Sequence, residues 1–442
     1  MKQLPPYLIG CLVLTTTGVS HAQATLPDPD VDCEALPEPR LFIEAGDTQM
    51  SMLGELARKL RDAEEPITLI YLPRSTCTLA DNYFNAVPTT EVMRYVPTSA
   101  EDPAWAGTPR QCNNRTEGFP IDLGIGATFI SSCAETVTSA QPANVERFKG
   151  PVQAYGFVVP DGSLAASGGG ITWEEAYWVF SGQGPTANAV PWIQEGNPAG
   201  GTPTVYIRGA TTSTLLTCAA NVAPALLPAS SWVGYRMDGQ TDRSSVVVNG
   251  VGMQTADLRD ATIGILGIDV YESNRATLDL LAFQAQGQNY GFYPDSSPSR
   301  TDKRNVRDGH YVPWSYTEYI ATVDDTRAPV NPLVTRILDI VRGTPETRLV
   351  SAAGVDPAFD IDALEIPSKK GLVPDCAMKV SREADGTDLS LYTPEASCGC
   401  FYESLVDPEL ANDPSWAERC IVCTGDADCE TGACQHGYCE GA

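Results

Sequence analysis

The sequence predicts an α/β layered protein with a largely parallel sheet and a small disulfide-rich module at its C-terminal end. Three observations predict it. Short apolar strands run repeatedly into glycine- or hydroxyl-bearing loops and then into helical patterns, the order that builds parallel sheets. The chain has 442 residues, 43% of them hydrophobic, enough for two or three buried cores. Eight of the 14 cysteines fall between Cys376 and Cys439, where apolar content is low.

Taken in order, Thr25 to Arg40 is rich in Pro and Asp and reads as an extended lead-in. Leu41-Phe-Ile43 reads as a strand, followed by Ala45-Gly46-Asp47-Thr48 and a helix to about Leu60. That helix has Leu53, Leu56 and Leu60 on one face, and Asp47 or Thr48 is placed to cap it. Ile67 to Tyr71 is a second strand, entering Pro73-Arg74-Ser75-Thr76 and a helical run from Leu79 to Val87. Phe119 to Gly126 and Val152 to Val159 are further strands. Gly168-Gly-Gly170 reads as a flexible turn, because it lacks the Lys-Ser/Thr of a nucleotide loop. Thr172-Trp-Glu-Glu175 has the spacing of a capping box opening a helix to Phe180. Ile263 to Ile268 and Leu278 to Gln284 are strands, and Asn331-Pro332 starts a helix whose apolar face is Leu333, Ile337, Ile340 and Val341.

Residues 1–24 read as a secretory signal: Lys2 is their only charge, Leu8 to Val19 is apolar, and Ala22-Gln23-Ala24 offers a cleavage site. Leu8-Ile9-Gly10-Cys11 resembles a lipoprotein box, but the apolar run continues past Cys11. Export and an oxidising compartment fit the cysteine count, with thirteen cysteines after the signal and therefore one thiol left free or paired between chains. Disulfides are favoured over zinc for Cys420-x2-Cys423 and its neighbours on the same ground. The formal charge is −27, which argues against nucleic acid or membrane as a partner. From Ala396 onward nine acidic residues face one basic, so the tail reads as a solvated, negative appendage. Only His310 and His436 follow the signal, a shortage that weighs against a Ser-His-Asp hydrolase or a His-rich metal site. His310, in Asp308-Gly-His-Tyr, reads as a turn residue.

The segment with most chemistry is the strand Thr204 to Arg208, then Gly-Ala-Thr211-Thr212-Ser213-Thr214, then an apolar helical stretch from Leu215 to Ala225. The first amides of a helix lack internal partners and carry the positive end of its dipole, so such a junction suits an anion. Arg208 adds a planar fork that matches a tetrahedral oxyanion. An ordinary N-cap on Thr211 or Thr212, with Arg208 solvated, accounts for the same residues.

Several segments resemble the phosphate-binding subunits of phosphate ABC transporters, a branch of the type II periplasmic-binding fold. Ile171-Thr-Trp-Glu-Glu-Ala-Tyr-Trp-Val-Phe180-Ser-Gly182 with Val190-Pro-Trp192 is similar to that family's IFxG…W stretch. Arg208 to Thr214 is similar to its Arg-x-x-x-Ser-Gly-Thr loop, Ala261 to Leu266 to its GAIGY strand, and Tyr311-Val-Pro313-Trp to its YPL return segment. The resemblance implies two lobes, one of about residues 41–152 and 316–365 and one of about 153–315, with the cysteine-rich module over 366–442. It implies no enzyme and no cofactor, but an interlobe oxyanion, phosphate first, and a membrane transporter or cell-surface component as partner. By position, Arg208, Thr212, Ser213 and Thr214 are ligand-binding candidates from one lobe, and Ser75, Thr76 and Thr48 from the other. The family's proton-accepting Asp falls near Ala127, where this sequence has no carboxylate; Asp122 lies earlier, and Thr128 offers a hydroxyl instead. That departure, and Ser213 where glycine is usual, favour a second reading: a secreted interaction protein on the same fold that has lost its ligand.

Overall fold

The computed structural model describes residues 31–163, 170–182, 204–222, 232, 235–236, 244–255, 258–343, 347–352 and 360–440. The expected signal, the first two glycines of Gly168-Gly-Gly170, Val190-Pro-Trp192 and the helix beyond Val222 lie outside them.

The first lobe is built from β1 (Arg40–Ala45), β2 (Thr68–Pro73), β3 (Met93–Tyr95), β4 (Arg110–Cys112) and β5 (Leu123–Gly126). β1 pairs in parallel with both β2 and β5. Helices α1 (Met50–Asp62) and α2 (Thr76–Phe84) return the chain from β1 and β2. Leu53, Leu56 and Leu60 of α1 are fully buried against β1 and β2, as the 3.6-residue spacing predicts. Each such leucine contributes roughly 2 kcal/mol of apolar burial.

β6 (Val145–Pro160) then runs through both lobes. Its first part pairs antiparallel with β13 (Trp314–Thr322), and its last residues pair with β10 (Thr262–Gly267) and β11 (Leu278–Leu280). The second lobe adds β7 (Gly170–Thr172), β8 (Thr204–Ile207), β9 (Tyr235–Arg236) and β12 (Ala282–Gln284). Its helices are α3 (Trp173–Tyr177), α4 (Ser213–Val222), α5 (Ser244–Gly252) and α6 (Ile268–Glu272). The main sheet order is β4-β3-β2-β1-β5-β13-β6-β10-β8-β9, so β6 and the segment entering β13 form a two-stranded crossing between lobes. α7 (Pro332–Arg342) returns to the first lobe, with Asn331 accepting from Leu333 N at its start.

Sequence periodicity misjudges some elements. The strand expected at Phe119–Gly126 is confined to Leu123–Gly126, because Asp122 turns its carboxylate onto Phe42 N and Asn331. The helix expected from Leu79 already begins at Thr76. Thr172 does form its capping box, but α3 ends at Tyr177 and a π-turn carries the chain to Gly182. The single strand expected over Leu278–Gln284 is two short ones in different sheets.

The twelve described cysteines other than Cys218 form six disulfides, Cys400–Cys420, Cys423–Cys434 and Cys429–Cys439 among them. Cys218 is the odd thiol: buried on α4, with its pKa pushed up by burial. The C-terminal segment is less of an appendage than its composition suggests. Cys376, Met378, Val380, Cys398 and Tyr402 belong to the second lobe's core cluster, and His436 is buried against Asp362 with Nδ1 and Oδ2 2.5 Å apart.

The crossing leaves little room. A Cβ on Gly150 of β6 would lie 2.3 Å from the Tyr319 ring and 2.6 Å from Thr317 Oγ1. Gly150→Ala is predicted to destabilise the protein by about 1–3 kcal/mol through overpacking. A urea midpoint unchanged from wild type would contradict this.

Candidate functional site

Four strand-to-helix junctions, three from the first lobe and one from the second, meet at the seam between the lobes. From the first lobe come the turn after β1 (Gly46 to Gln49), the turn after β2 (Arg74 to Thr76) and the turn after β5 (Ala127 to Phe129). From the second comes the turn after β8, carrying Arg208 to Ser213. β1, β2 and β5 are parallel, so the loops that follow them share one edge of the first lobe's sheet. β8, related to them through β13, β6 and β10, runs the opposite way, so the loop after it meets theirs from the other side of the seam.

Arg208 is 1% exposed. It donates through Nη1 to Ser244 Oγ at 2.6 Å and through Nη2 to the Asp47 carboxylate of the opposite lobe. A guanidinium taken out of water needs such a counter-charge. Its Nε is buried with no hydrogen-bond partner among the described residues, as are Thr214 Oγ1 and Gln49 Oε1. Around this pair the lobes touch directly. Thr211 Oγ1 donates to Ser75 Oγ at 3.0 Å, and Cys77 N donates to Thr211 O at 3.3 Å. Thr128 and Thr217 hydroxyls are 2.8 Å apart, and Tyr155 OH donates to Ala127 O at 2.5 Å.

The predicted candidates are therefore gathered at one seam, but several differ in role from expectation. Asp47, expected as a cap, is the partner of Arg208; α1 starts with no side-chain cap on its N-cap residue Gln49. Thr48 is buried at the same turn, its hydroxyl 3.5 Å from Gln49 Nε2. Ser75 is the N-cap residue of α2 but makes no capping bond; its hydroxyl meets Thr78 at 2.7 Å. Thr76 Oγ1 accepts from Ala127 N at 3.2 Å. Thr212 donates to Gly209 O at 2.7 Å, which closes the turn and commits its proton. Ser213 is buried at the start of α4. His310 is exposed, stacked on Phe292 at 5.0 Å, as a turn residue would be.

Two carboxylates at the seam were not legible in the sequence. Asp385, from the cysteine-rich segment, accepts from Thr128 at 2.6 Å and from Ser132 at 2.5 Å. Thr128, expected to offer its hydroxyl to a ligand, thus commits its proton to Asp385. Burial raises the Asp385 carboxyl above the usual range, against the pull of Ser132, Thr128, Ser315 and Arg382. No local motif points to this residue, which lies 257 positions from Thr128. The second is Asp269 at the start of α6, whose Oδ1 accepts from Gln153 Nε2 of the crossing strand at 2.9 Å. Burial pushes its carboxyl up to about 7; hydrogen bonds from Val270 N and Gln153 oppose this, and the charges of Glu272 and Asp47 add to it.

No protein-family model and no curated protein matches the chain. Among solved structures, it is similar to an ABC-type phosphate transport receptor from Vibrio cholerae at 11% identity, covering 75% of this chain and 99% of that one, with a TM-score of 0.43. PstS from Borrelia burgdorferi is 11% identical over 76% of this chain and 98% of its own, TM-score 0.38. The reduced OxyR regulatory domain from Pseudomonas aeruginosa is 10% identical over 68% and 94%, TM-score 0.36.

Asp269 gives a pH signature. An unfolded Asp ionises near 3.8, whereas the folded one keeps its proton to about 7. Between those values the unfolded chain binds fewer protons, so this residue's contribution to stability falls as pH rises through the window and is level above it. Asp269→Asn, which still accepts from Gln153, is expected to flatten that slope and to gain about 1 kcal/mol or more at pH 8. Urea midpoints measured from pH 4 to 8 check it; equal slopes for both proteins refute it.

Proposed function

We propose that this protein is an exported solute-binding protein that closes its two lobes on a small oxyanion, phosphate first, with Arg208 as the charge centre. The observation that supports this reading above the others is a fully buried guanidinium at an interlobe seam, in a chain of net charge −27. A cation held dry against an unfavourable cost, with Nε and nearby Thr214 Oγ1 unpaired among the described residues, is suited to a ligand that brings charge and several oxygens. The amides opening α4 and α2 add the positive ends of two helix dipoles. In this reading the Asp47 carboxylate occupies the guanidinium until an oxyanion displaces it, and Asp47 is 18% exposed, so it has water to move into. Binding of this kind calls for no base or nucleophile. The resemblance in sequence adds a membrane transporter or cell-surface component as the partner that receives the ligand.

One observation favours a second reading, a secreted interaction protein that no longer binds a solute. Asp47 on Arg208, Ser75 on Thr211 and Thr217 on Thr128 satisfy across the seam the groups that a ligand would use.

Calorimetry with phosphate, sulfate and small carboxylates separates the two. On the first reading the wild type binds phosphate, and Asp47→Asn binds it more tightly because a competing charge has gone. Arg208→Ala removes two charge-assisted hydrogen bonds, about 3 kcal/mol or roughly 100-fold in affinity. Absence of heat from both wild type and Asp47→Asn with every anion overturns the first reading.

A further inference from the structure

We propose that the loop of residues 376–398, closed at its neck by the Cys376–Cys398 disulfide, is a clasp that fastens the two lobes across their seam, so that the lobes part only when its side chains let go.

The loop is seated on the second lobe. Lys379 N donates to Arg307 O at 3.1 Å, and Tyr392 N closes the loop's own hairpin on Lys379 O at 2.9 Å. Gly309, at φ +81°, leaves the space in which Val380 and Leu389 lie, since a Cβ there would come within 3.0 and 3.1 Å of them. Arg382 is 2% exposed. It donates to Asn221 Oδ1 of α4 at 2.6 Å and to Val312 O at 3.1 Å, and its guanidinium stacks over the Trp314 ring at 4.0 Å. Arg382 therefore holds the second lobe and the strand entering the crossing.

Three residues on, Asp385 holds the first lobe. It accepts from Thr128 in the turn after β5 and from Ser132 in the following helical turn. Thr128 is in turn 2.8 Å from Thr217 of α4, so the carboxylate closes a chain of hydroxyls that itself spans the seam. Lys149 of β6 adds a second grip, donating to Arg382 O at 3.3 Å and to Glu383 at 3.2 Å. Two oppositely charged side chains on one disulfide-closed loop are thus anchored to opposite lobes. The disulfide keeps the loop from unravelling as a way to release them, so opening has to break the polar contacts at one end or the other. The first-lobe end is the weaker. It consists of two hydroxyl bonds and an exposed lysine pair, whereas the other end combines a stacked, buried guanidinium with apolar seating. Opening would then leave the loop riding on the second lobe.

The inference concerns how the lobes are held and needs no ligand, so its test is independent of whether the seam takes an anion. Hydrogen exchange and small-angle scattering of the ligand-free protein are compared for wild type, Asp385→Ala and Ser132→Ala, with Thr387→Ala as an exposed control on the same loop. Asp385→Ala is expected to speed exchange at residues 127–133 and 213–222 by about 10-fold or more and to enlarge the radius of gyration, with protection in β1 and β2 unchanged. Ser132→Ala, which removes one hydroxyl bond from a half-buried position and so preserves folding, is expected to shift the same amides in the same direction by less. Faster exchange confined to residues 379–392, or unchanged exchange on both faces of the seam, overturns the clasp.

Discussion

A guanidinium removed from water at the meeting of two lobes has to be answered by negative charge, and the architecture around Arg208 follows from that requirement. Burying an isolated cation costs several kcal/mol, more than a typical hydrogen bond returns. Within one lobe the counter-ion would make Arg208 an internal salt bridge with no bearing on the other. Here it is Asp47 of the facing lobe, so the neutralisation of the charge and the approach of the lobes are one event.

The crossing strands supply the mechanical side. β6 is hydrogen-bonded to β13 along its first part and to β10 and β11 along its last. The lobes are therefore connected through backbone, with Tyr155 N donating to Pro313 O at 2.8 Å where the two strands cross. Asp269, accepting from Gln153 two residues before Tyr155, places a carboxyl raised by burial close to that point. The cysteine-rich segment adds a third connection. Its first half is woven into the second lobe's core, and its far end is pinned near the first lobe by the buried pair of His436 and Asp362. A module that looks detachable by composition is a structural part of the assembly.

Much of the local structure is legible from residue order alone. The leucines of α1, the capping box at Thr172, the Asn331-Pro332 start of α7 and the strand before Arg208 all form as their patterns predict. In each, the decisive interactions lie within a few residues, so sequence spacing contains them. Strands are less legible where pairing decides. The start of β6 and the whole of β13 carry Lys, Arg, Glu and Thr among their apolar residues, and they are strands because each is the other's partner, 160 or more residues away.

The site divides along the same line. Arg208, Ser75, Thr76 and Thr128 were identifiable as residues of strand-to-helix junctions, because such junctions are local features. The sequence by itself placed an arginine and a set of hydroxyls at strand-to-helix junctions, with a solvated Arg208 and an ordinary cap as the open alternative. Only the tertiary structure decided what answers them: Asp47 in place of a cap, Thr212 turned back on Gly209, and Asp385 delivered from the C-terminal loop. The reason is physical. Which carboxylate neutralises a buried donor depends on distance through space, and nothing in the chain around Thr128 records that Asp385 will fold back against it.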